Sequence, residues 1–381
     1  MNNLTRLSKR NKVKAICKYF FKIFFNISLK KHKEPWSANI NQDTFKDLFD
    51  KYPVYPSEKT SLKKRICIMV SDRNELIHSA AKAAIKFFNG NLTLIDPLKA
   101  GWCIQEIKNN FDGVIYRPLF NSFLNRQISN EHLELFELSG VPVWPNKTEN
   151  YLYEGKRRAS MYFAMKNIPI PQTHLFYTAS TALAFLDAVK YPILLKTDIG
   201  ASSSGVFLLE NKSQATKSIN YIFSAGLLRN SNNRHDIDTG YILFQEFIPD
   251  IREYRIIKIG SSWFGHEKKG KKGSVFFSGS GETSWEIPPR KAFDFCNSIA
   301  LDNNFNVMSF DVFETISGSL LLNEAQTWFG SYNPSQMFKN GTPGRFVYLG
   351  NELIFEEGIF NSNRSLNLRI FEFNNFLLNR A

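Results

Sequence analysis

Two acidic residues flank a predicted β-turn in the C-terminal part of the chain. Asp311 lies in one apolar run and Glu324 in the next, and the dipeptide Ser317-Gly318 between the runs is typical of a two-residue hairpin turn. Such a turn fixes which residues face each other across the two strands. The predicted pairs are Ile316 with Ser319, Phe313 with Leu322, and Asp311 with Glu324.

The predicted pairing brings two carboxylates to the same face of one sheet. Like charges that face each other repel unless a cation lies between them. Gln326 lies two residues beyond Glu324 and therefore on the same face. Mg²⁺ suits oxygen-rich side chains and takes substrate phosphates and water as further ligands, so we interpret Asp311, Glu324 and Gln326 as a metal site. A solvent-facing hairpin that tolerates the repulsion is the alternative.

A lysine followed by a loop of small residues is a second feature with chemical meaning. Lys196 ends a short apolar run, a Gly/Ser loop follows at 200–205, and another apolar run begins at Val206. Small residues let backbone N–H groups approach phosphate oxygens, and the lysine adds positive charge. The GxxxxGK[ST] motif of a P-loop is absent from the sequence, and an ordinary turn is the alternative. The loop residues are Gly200, Ser202, Ser203 and Ser204.

Taken in chain order, these features resemble the ATP-grasp superfamily over about residues 60–335. The run Gly155-Lys156-Arg157-Arg158, followed by Ile168-Pro169-Ile170-Pro171-Gln172-Thr173, looks like the opening K…G-I-P-x-P-x-T pattern of these proteins. The similarity is to the carboxylate–amine ligase type, such as glutathione synthetase and D-alanine–D-alanine ligase. Each motif alone is loose, and their common order makes the resemblance specific.

The resemblance implies roles for residues that contact the nucleotide. Lys156 would be the first nucleotide lysine, and Lys196 the second, which reaches the phosphates beside the loop 200–205. The segment 242–249 is similar to the linker whose backbone meets the adenine, and Glu253 would bind the ribose hydroxyls. The linker residues implied in this contact are Gln245, Glu246, Phe247 and Ile248.

The resemblance also implies residues for catalysis. Arg255, in an acid-x-Arg pattern at 253–255, would point toward the phosphates or the acyl group. A further cation is expected in the lysine-rich stretch 268–272, and we assign this role to Lys268, with a solvated turn as the alternative.

The three residues of the proposed metal site fall where the family keeps its magnesium ligands. The family's last ligand is usually Asn, whereas this chain has Gln326. The extra methylene group predicts a weaker or shifted second metal.

Alternating strands and helices follow a proline-containing linker, starting with the apolar run 65–70. The alternation predicts a small parallel sheet with crossover helices. With the resemblance, the expected fold class is α/β, an ATP-grasp fold preceded by this smaller pre-ATP-grasp domain. The predicted division is a basic N-terminal extension and linker at 1–59, the pre-ATP-grasp domain at 60–147, the ATP-grasp domain at 148–340 with two subdomains joined near 245–249, and a C-terminal extension at 341–381.

The resemblance implies an ATP- and Mg²⁺-dependent ligase, with Mn²⁺ as an alternative ion. The γ-phosphoryl group of ATP would pass to a substrate carboxylate, and an amine or a thiol would attack the resulting acylphosphate. The partners would be small-molecule or peptide carboxylate and amine substrates. A catalytically weak homologue that acts as a nucleotide-dependent binding protein at a membrane surface is the alternative function.

Positive charge is concentrated at the N-terminus. The formal net charge is +13, but ten Lys or Arg and no acid precede residue 34, so the rest of the chain is nearly neutral. A nearly neutral body does not favour nucleic acid as a partner. The four cysteines form no CxxC pair, which predicts a reduced, cytoplasmic protein.

Residues 1–33 carry an amphipathic pattern as well as charge. In a helix, Ile16, Phe20, Ile23 and Ile27 would lie on one side and lysines on the other. The apolar run 19–29 is shorter than the roughly 20 residues of a membrane-spanning helix. We interpret the segment as an interfacial helix on an anionic membrane, peripheral to it, or as a docking helix for a partner. A solvated tail is the alternative.

Deleting residues 1–33 should abolish co-sedimentation with anionic lipid vesicles and leave ATP binding unchanged, because the basic and apolar residues both lie in that segment. Sedimentation of the full-length and truncated chains with anionic and neutral vesicles checks this, and added salt should weaken the binding of the full-length chain. Equal sedimentation of the two proteins would disprove the membrane role.

Overall fold

A computed structural model of the chain describes residues 42–57, 60–88, 90–99, 101–120, 122–198, 205–230, 233–269, 282–285, 287–331 and 333–380. The basic segment 1–33 and the membrane role predicted for it lie outside these residues. No helix among those described has both the length and the apolar composition that crossing a membrane requires.

Four short parallel strands form the first sheet. They are β1 (Ile66–Met69), β2 (Leu92–Ile95), β3 (Gly113–Tyr116) and β4 (Val143–Trp144). Their order is β2-β1-β3-β4, and β1 and β3 are buried along their whole length, as in parallel sheets covered on both faces. The small parallel sheet predicted from the sequence is therefore confirmed. The helices of this part are α1 (Gln42–Lys51), α2 (Glu75–Phe88), α3 (Ile104–Asn110), α4 (Phe123–Ser139) and α5 (Lys147–Leu152).

The second sheet has four antiparallel strands and its own core. The helices and strands of this region are α6 (Lys156–Met165), β5 (Thr173–Phe176), α7 (Ala179–Phe185), β6 (Ile193–Lys196), β7 (Val206–Leu209), α8 (Lys212–Ser224), the hairpin of β8 (Leu227–Asn230) and β9 (Asn233–Asp238), and β10 (Ile242–Glu246). The sheet order is β5-β10-β6-β7. Ala182 of α7 and Ile219 of α8 pack in one hydrophobic cluster with Ile193 and Phe244 of the strands.

The third sheet has eight strands. Its strands and helices are β11 (Arg252–Ile259), β12 (Ser262–Lys269), β13 (Glu282–Thr283), α9 (Arg290–Asp302), β14 (Val307–Glu314), β15 (Leu320–Gln326), β16 (Phe338–Lys339), β17 (Thr342–Leu349), β18 (Glu352–Glu357) and α10 (Leu366–Asn379). The order is β15-β14-β11-β12-β17-β16, with β13 paired to β12 and β18 paired to β17. This order places β11 between β14 and β12.

One hydrophobic cluster joins the first and third sheets. Ile68 and Ile115 of the parallel sheet pack in the same cluster as Phe310 of β14 and Phe373 of α10. The rings of Phe373 and Trp144 lie 5.2 Å apart. Residues 341–381, set apart in the sequence analysis as an extension, supply β17, β18 and α10 to the third sheet and this cluster. The domain boundaries themselves stay a prediction.

The β14–β15 hairpin differs from its predicted register near the turn. Thr315 N–H donates to the Ser319 carbonyl at 3.0 Å, which makes a three-residue loop whose Gly318 has a positive φ of 81°. The predicted pairs Ile316–Ser319 and Phe313–Leu322 are therefore wrong. One extra residue at Asn323 forms a bulge that compensates for the longer loop, and the predicted pairing of Asp311 with Glu324 is confirmed.

A buried carboxylate fixes the start of β14 against α5. Glu149 is fully buried, and its side chain accepts hydrogen bonds from the backbone N–H groups of Asn146, Asn306 and Val307. Burial raises the pKa of Glu149 to about 7, although the three donors favour the charged form. The contact links the helix that precedes the Lys156 segment to the strand that carries Asp311.

Candidate functional site

A cleft lies between the second sheet and strand β15, with helix α6 beside it. It encloses about 430 Å³ of empty space, part of it open to solvent. Residues from five separate segments meet there, and the outermost of them, Leu152 and Gln326, are 174 positions apart in sequence. The polar lining includes Lys156, Lys196, Gln245, Asn323, Glu324 and Gln326.

Lys156 is the first residue of α6, and its ammonium group lies 3.3 Å from Glu324 Oε1. A backbone hydrogen bond connects the start of α6 to the segment that follows β6, because Lys156 N–H donates to the Asp198 carbonyl at 3.0 Å. Gly155 precedes it, and a Cβ there would lie 2.5 Å from Arg158 Nε, so a larger residue would displace the Arg158 guanidinium. These contacts orient Lys156 across the cleft toward β15.

Lys196 ends β6 and projects into the same cleft. It is only 7% exposed, and its ammonium group donates to Asn323 Oδ1 at 2.8 Å. No carboxylate in the described part of the chain lies within ion-pair distance of it. Burial lowers the pKa of Lys196 to about 8, because the charged form loses hydration. The cleft therefore contains a buried ammonium group that has no carboxylate in contact with it among the described residues.

Asn323 is a site residue that the sequence reasoning missed. In a regular strand, Asn323 and Glu324 would point to opposite faces of the sheet. The bulge at Asn323 breaks this alternation, and both side chains line the cleft. A bulge leaves no recognisable signal in a single sequence, so the contact to Lys196 could not be predicted.

A second group of charges lies where β11, β12 and β14 are adjacent. Strand register places Arg255 opposite Asp311 and Glu253 opposite Lys268. Arg255 donates from Nε and Nη2 to the two Asp311 oxygens at 2.9 and 3.0 Å. Lys268 Nζ lies 2.6 Å from both Asp311 Oδ2 and Glu253 Oε1. The predicted residues Glu253, Arg255, Lys268 and Asp311 thus form one ion-pair cluster.

Burial and pairing act in opposite directions on these carboxyl groups. Burial favours the neutral form of Asp311, but Arg255 and Lys268 outweigh it and hold the pKa of Asp311 well below its ordinary value. Burial raises the pKa of Glu253, against the attraction of Lys268 and with added repulsion from Asp311. The pairing with Arg255 and Lys268 therefore keeps Asp311 ionised although it is buried.

Each of the two opposed carboxylates is paired with positively charged side chains of its own. Asp311 pairs with Arg255 and Lys268, whereas Glu324 pairs with Lys156. Burial opposes ionisation of Glu324, but Lys156, the hydrogen bond from Gln326 and the charge of Lys196 together outweigh it, and the pKa of Glu324 lies below its ordinary value. Positively charged side chains of the protein therefore offset the repulsion expected between Asp311 and Glu324 without a bound metal ion.

Gln326 bridges Glu324 and the backbone before α6. Its Nε2 donates to Glu324 Oε1 at 2.7 Å, and its Oε1 accepts the Glu154 N–H at 3.0 Å. The backbone donor fixes the orientation of the amide, so nitrogen rather than oxygen faces Glu324. The predicted ligand role of Gln326 would require this amide to turn.

Glu324 is the residue of the predicted metal site that could bind a magnesium ion without giving up a contact. Its Oε2 has no hydrogen-bond partner among the residues described and is not sealed from solvent. Asp311 faces Glu324 across the strand pair, although both of its oxygens are held by cations. The described residues contain no group of three or more His, Cys, Asp or Glu suited to holding a metal ion. Mg²⁺ bound with phosphates commonly uses only one or two carboxylates.

The predicted linker residues are divided between the cleft and its surroundings. Gln245 is buried in the lining, its Nε2 donates to Thr173 Oγ1 at 3.0 Å, and its Oε1 has no partner in the described part of the chain. Glu246 is exposed and accepts the Gln172 N–H at 2.6 Å. Phe247 and Ile248 follow β10 and are half-buried.

The predicted phosphate loop lies mostly outside the described residues. This applies to Gly200, Ser202, Ser203 and Ser204, and also to the lysines at 271 and 272. The ends of the loop are described, and Thr197 N–H donates to the Gly205 carbonyl at 2.8 Å. The Asp198 side chain accepts the Arg157 N–H at 2.9 Å, a contact that the sequence did not indicate. The loop therefore starts and ends beside Lys196 and α6.

Comparisons with known proteins identify the fold. No protein-family model and no curated protein sequence matches the chain. D-alanyl-alanine synthetase A from Vibrio cholerae is 13% identical, with a TM-score of 0.54 over 85% of this chain and 100% of its own. An N5-carboxyaminoimidazole ribonucleotide synthetase solved with ADP is 14% identical, with a TM-score of 0.52 over 84% of this chain and 98% of its own. The chain has the ATP-grasp fold.

The ATP-grasp fold confirms the fold class that the sequence resemblance implies. The similarity includes all of the synthetase from Vibrio cholerae, so it is not limited to one sheet. At these identities it shows the fold alone, and the chemistry must be argued from the cleft.

Asp311→Asn should lower the free energy of unfolding by about 3 kcal/mol or more, because Arg255 and Lys268 would lose a buried charged partner. Glu324→Gln is the matched comparison and should cost about 1 kcal/mol or less, since Glu324 is partly exposed and has one cation. Urea unfolding of the two variants and the parent at pH 7 measures both effects.

The pH dependence of the free energy of unfolding provides a control for the Asp311→Asn comparison. Since the pKa of Asp311 is lowered in the folded state, its stabilising contribution is present above the ordinary aspartate pKa of 3.8 and is lost at lower pH. The difference between the parent and Asp311→Asn should therefore shrink on acidification below about pH 4. A difference that stays constant from pH 7 to pH 3 would contradict the ion-pair assignment.

Proposed function

We propose that the chain is an ATP- and Mg²⁺-dependent ligase that activates a substrate carboxylate as an acylphosphate for attack by an amine or a thiol. The observation that carries the proposal is the ammonium group of Lys196. It is buried in the cleft, and the partner it has there is the uncharged amide of Asn323. A phosphate oxygen would supply the negative charge that this group lacks.

Other lining residues fit the rest of a nucleotide. The ammonium group of Lys156 lies 3.3 Å from Glu324 in the cleft and would bring a second cation to the phosphates. The buried Oε1 of Gln245 can accept a hydrogen bond from the amino group of a base. The ribonucleotide synthetase with a similar fold was solved with ADP, which supports a nucleotide in this cleft.

Magnesium would bind at Glu324, with Asp311 as the second carboxylate and Mn²⁺ as an alternative ion. Lys156 would then exchange its contact with Glu324 for a phosphate oxygen. Once bound, the ion would neutralise negative charge on the phosphates during transfer.

The residues of the chain would act mainly by holding charges in place. A carboxylate oxygen of the substrate would form the new bond to the γ-phosphorus while the bond to ADP breaks. The amine or thiol would then bond to the acyl carbon, phosphate would leave, and the proton of the nucleophile would pass to solvent. Arg255 is oriented by Asp311 and keeps about a quarter of its side chain exposed (26%), so it can contact the acylphosphate oxygens.

One observation favours a catalytically weak binding protein as the second candidate. Both Asp311 oxygens are already bound by cations, and Gln326 presents nitrogen to Glu324, which would weaken metal binding. ADP release in the presence of a carboxylate substrate separates the two functions, because only the ligase consumes ATP.

Lys196→Ala should weaken binding of ATP at least about tenfold, or 1.4 kcal/mol, and leave binding of adenosine nearly unchanged. ATP binding by the parent near pH 8 should also take up about half a proton, because the pKa of Lys196 is about 8 and phosphate would raise it. Calorimetry in buffers of different ionisation enthalpy measures affinity and proton uptake together.

Lys196→Arg is the matched control for this experiment. Arginine keeps the positive charge but does not titrate near pH 8, so ATP should still bind without the proton uptake. Unchanged ATP affinity in Lys196→Ala would show that Lys196 does not contact the phosphates.

A further inference from the structure

A pair of buried arginines lies outside the residues that the proposed mechanism uses. Arg117 directly follows β3, and Arg369 lies in α10. Their guanidinium groups lie 5.0 and 4.4 Å from the ring of Trp328. The Arg117 guanidinium also lies 5.1 Å from the ring of Phe120 and 4.9 Å from that of Tyr153. We call these five residues the arginine–aromatic cluster.

Neither arginine has a carboxylate partner in the part of the chain that the structure describes. Arg369, 3% exposed, donates to the Thr327 carbonyl at 3.0 Å and to Ser365 Oγ at 3.4 Å. Arg117 is 9% exposed, and its Nε and Nη1 have no hydrogen-bond partner among those residues. Burial and the charge of Arg117 lower the pKa of Arg369 to about 9. Two guanidinium groups are therefore buried against the same tryptophan ring, and neither has a carboxylate in contact with it among the described residues.

Arg345 shows how the same chain neutralises a buried arginine elsewhere. It is 8% exposed and lies 4.6 Å from the rings of two aromatic residues, so its surroundings resemble those of Arg117. Unlike Arg117, it contacts two carboxylates, Glu356 at 2.8 Å and Glu372 at 3.4 Å. An unpaired buried charge is strongly unfavourable, and exceptions of this kind are expected at binding sites.

The arginine–aromatic cluster borders the cleft at the end of β15. Tyr153 lies between the lining residues Leu152 and Gly155, and Trp328 lies two residues beyond the lining residue Gln326. Glu324 lines the cleft, whereas Arg117 does not, and Trp328 lies in a bend of the chain beyond the end of β15. A group bound at Arg117 would therefore belong to the substrate but would not be the group that receives the phosphoryl transfer near Glu324.

The backbone next to Arg369 is strained in the same region. Asn363, Arg364 and Ser365 are three successive residues other than glycine with positive φ values of 48°, 57° and 64°. Such conformations cost free energy and concentrate at functional sites. Ser365, the last of them, holds the Arg369 guanidinium. The strained turn thus belongs to the support of the arginine–aromatic cluster.

We propose that Arg117 binds a carboxylate of the substrate that is not itself activated. The planar N–H fork of a guanidinium group pairs with a carboxylate through two parallel hydrogen bonds, and Nε and Nη1 of Arg117 have no partner among the described residues. The substrate that carries it is then an amino acid, a peptide or a dicarboxylic acid. The assignment of this carboxylate to a substrate rests on the proposed ligase function, whereas the anion site at Arg117 does not depend on that function.

Thermal unfolding and tryptophan fluorescence of the full-length chain, without ATP, test this proposal. The probes are glutarate, L-glutamate and L-alanyl-L-alanine, with glutaramide as the uncharged analogue and inorganic phosphate as the second anion. At least one of the three carboxylates should raise Tm and change the fluorescence in a saturable way, because Trp328 contacts both arginines. Glutaramide should do neither. No response to any of the carboxylates, or a response to phosphate alone, would overturn the proposal.

Arg117→Met and the matched control Arg345→Met separate a binding role from a structural one. Without ligand, Arg117→Met should have the same Tm as the parent or a higher one, since an unpaired charge is removed, and it should lose the response to carboxylates. Arg345→Met should lower Tm, because Glu372 would be left buried without a cation. A loss of Tm in Arg117→Met as large as in Arg345→Met, or a retained carboxylate response, would contradict the assignment.

ATP binding distinguishes failure of this proposal from failure of the ligase function. Arg117→Met should bind ATP as tightly as the parent in calorimetry, because Arg117 is outside the residues assigned to the nucleotide. If the parent does not bind ATP, the ligase function is wrong, and the carboxylate responses still decide the role of Arg117.

Discussion

The pairing of Asp311 with two cations is the interaction on which the cleft depends. Asp311 is 3% exposed, and a carboxylate so deeply buried is stable only with charged partners. Arg255 and Lys268 supply them from β11 and β12, and they can do so only if β14, β11 and β12 are adjacent in that order. The order of strands in the third sheet and the ion pairs therefore stabilise each other. This rigid edge carries β15, and β15 carries the residues that face the second sheet.

Once Asp311 is satisfied, the cleft itself keeps an excess of positive charge. Lys156 and Lys196 both project into it, whereas Glu324, which pairs with Lys156, is the one carboxylate among the described lining residues. The lowered pKa of Lys196 has the same origin, because burial makes the charged form of this lysine less favourable. A nucleotide phosphate with its metal ion would restore the balance, so the charge arrangement that is unfavourable in the free chain becomes favourable on binding. The arginine–aromatic cluster, beyond the end of β15, likewise contains buried cations that a bound anion would neutralise.

The sequence predicts those features that depend on local pattern. The parallel sheet follows from the alternation of strands and helices, and the pairing of Asp311 with Glu324 follows from a hairpin between them. The second success depends on a compensation, because the longer turn and the bulge at Asn323 shift the register by one residue each in opposite senses. The contacts of Asp198, and the meeting of Arg117 with Trp328, join segments far apart in sequence. Such contacts depend on tertiary packing and have no local signal in a single chain.

The effect of Mg²⁺ on ATP affinity in the parent and in Glu324→Gln, measured by titration calorimetry, tests the proposed magnesium site at Glu324 most directly. Glu314→Gln is a matched control, because Glu314 lies on the same hairpin and pairs with Lys291 rather than with a cleft residue. We predict that Mg²⁺ strengthens ATP binding at least about tenfold, or 1.4 kcal/mol, in the parent and the control, and that Glu324→Gln loses most of this gain. Failure of the parent to bind ATP, or a magnesium effect of equal size in Glu324→Gln, would contradict this prediction.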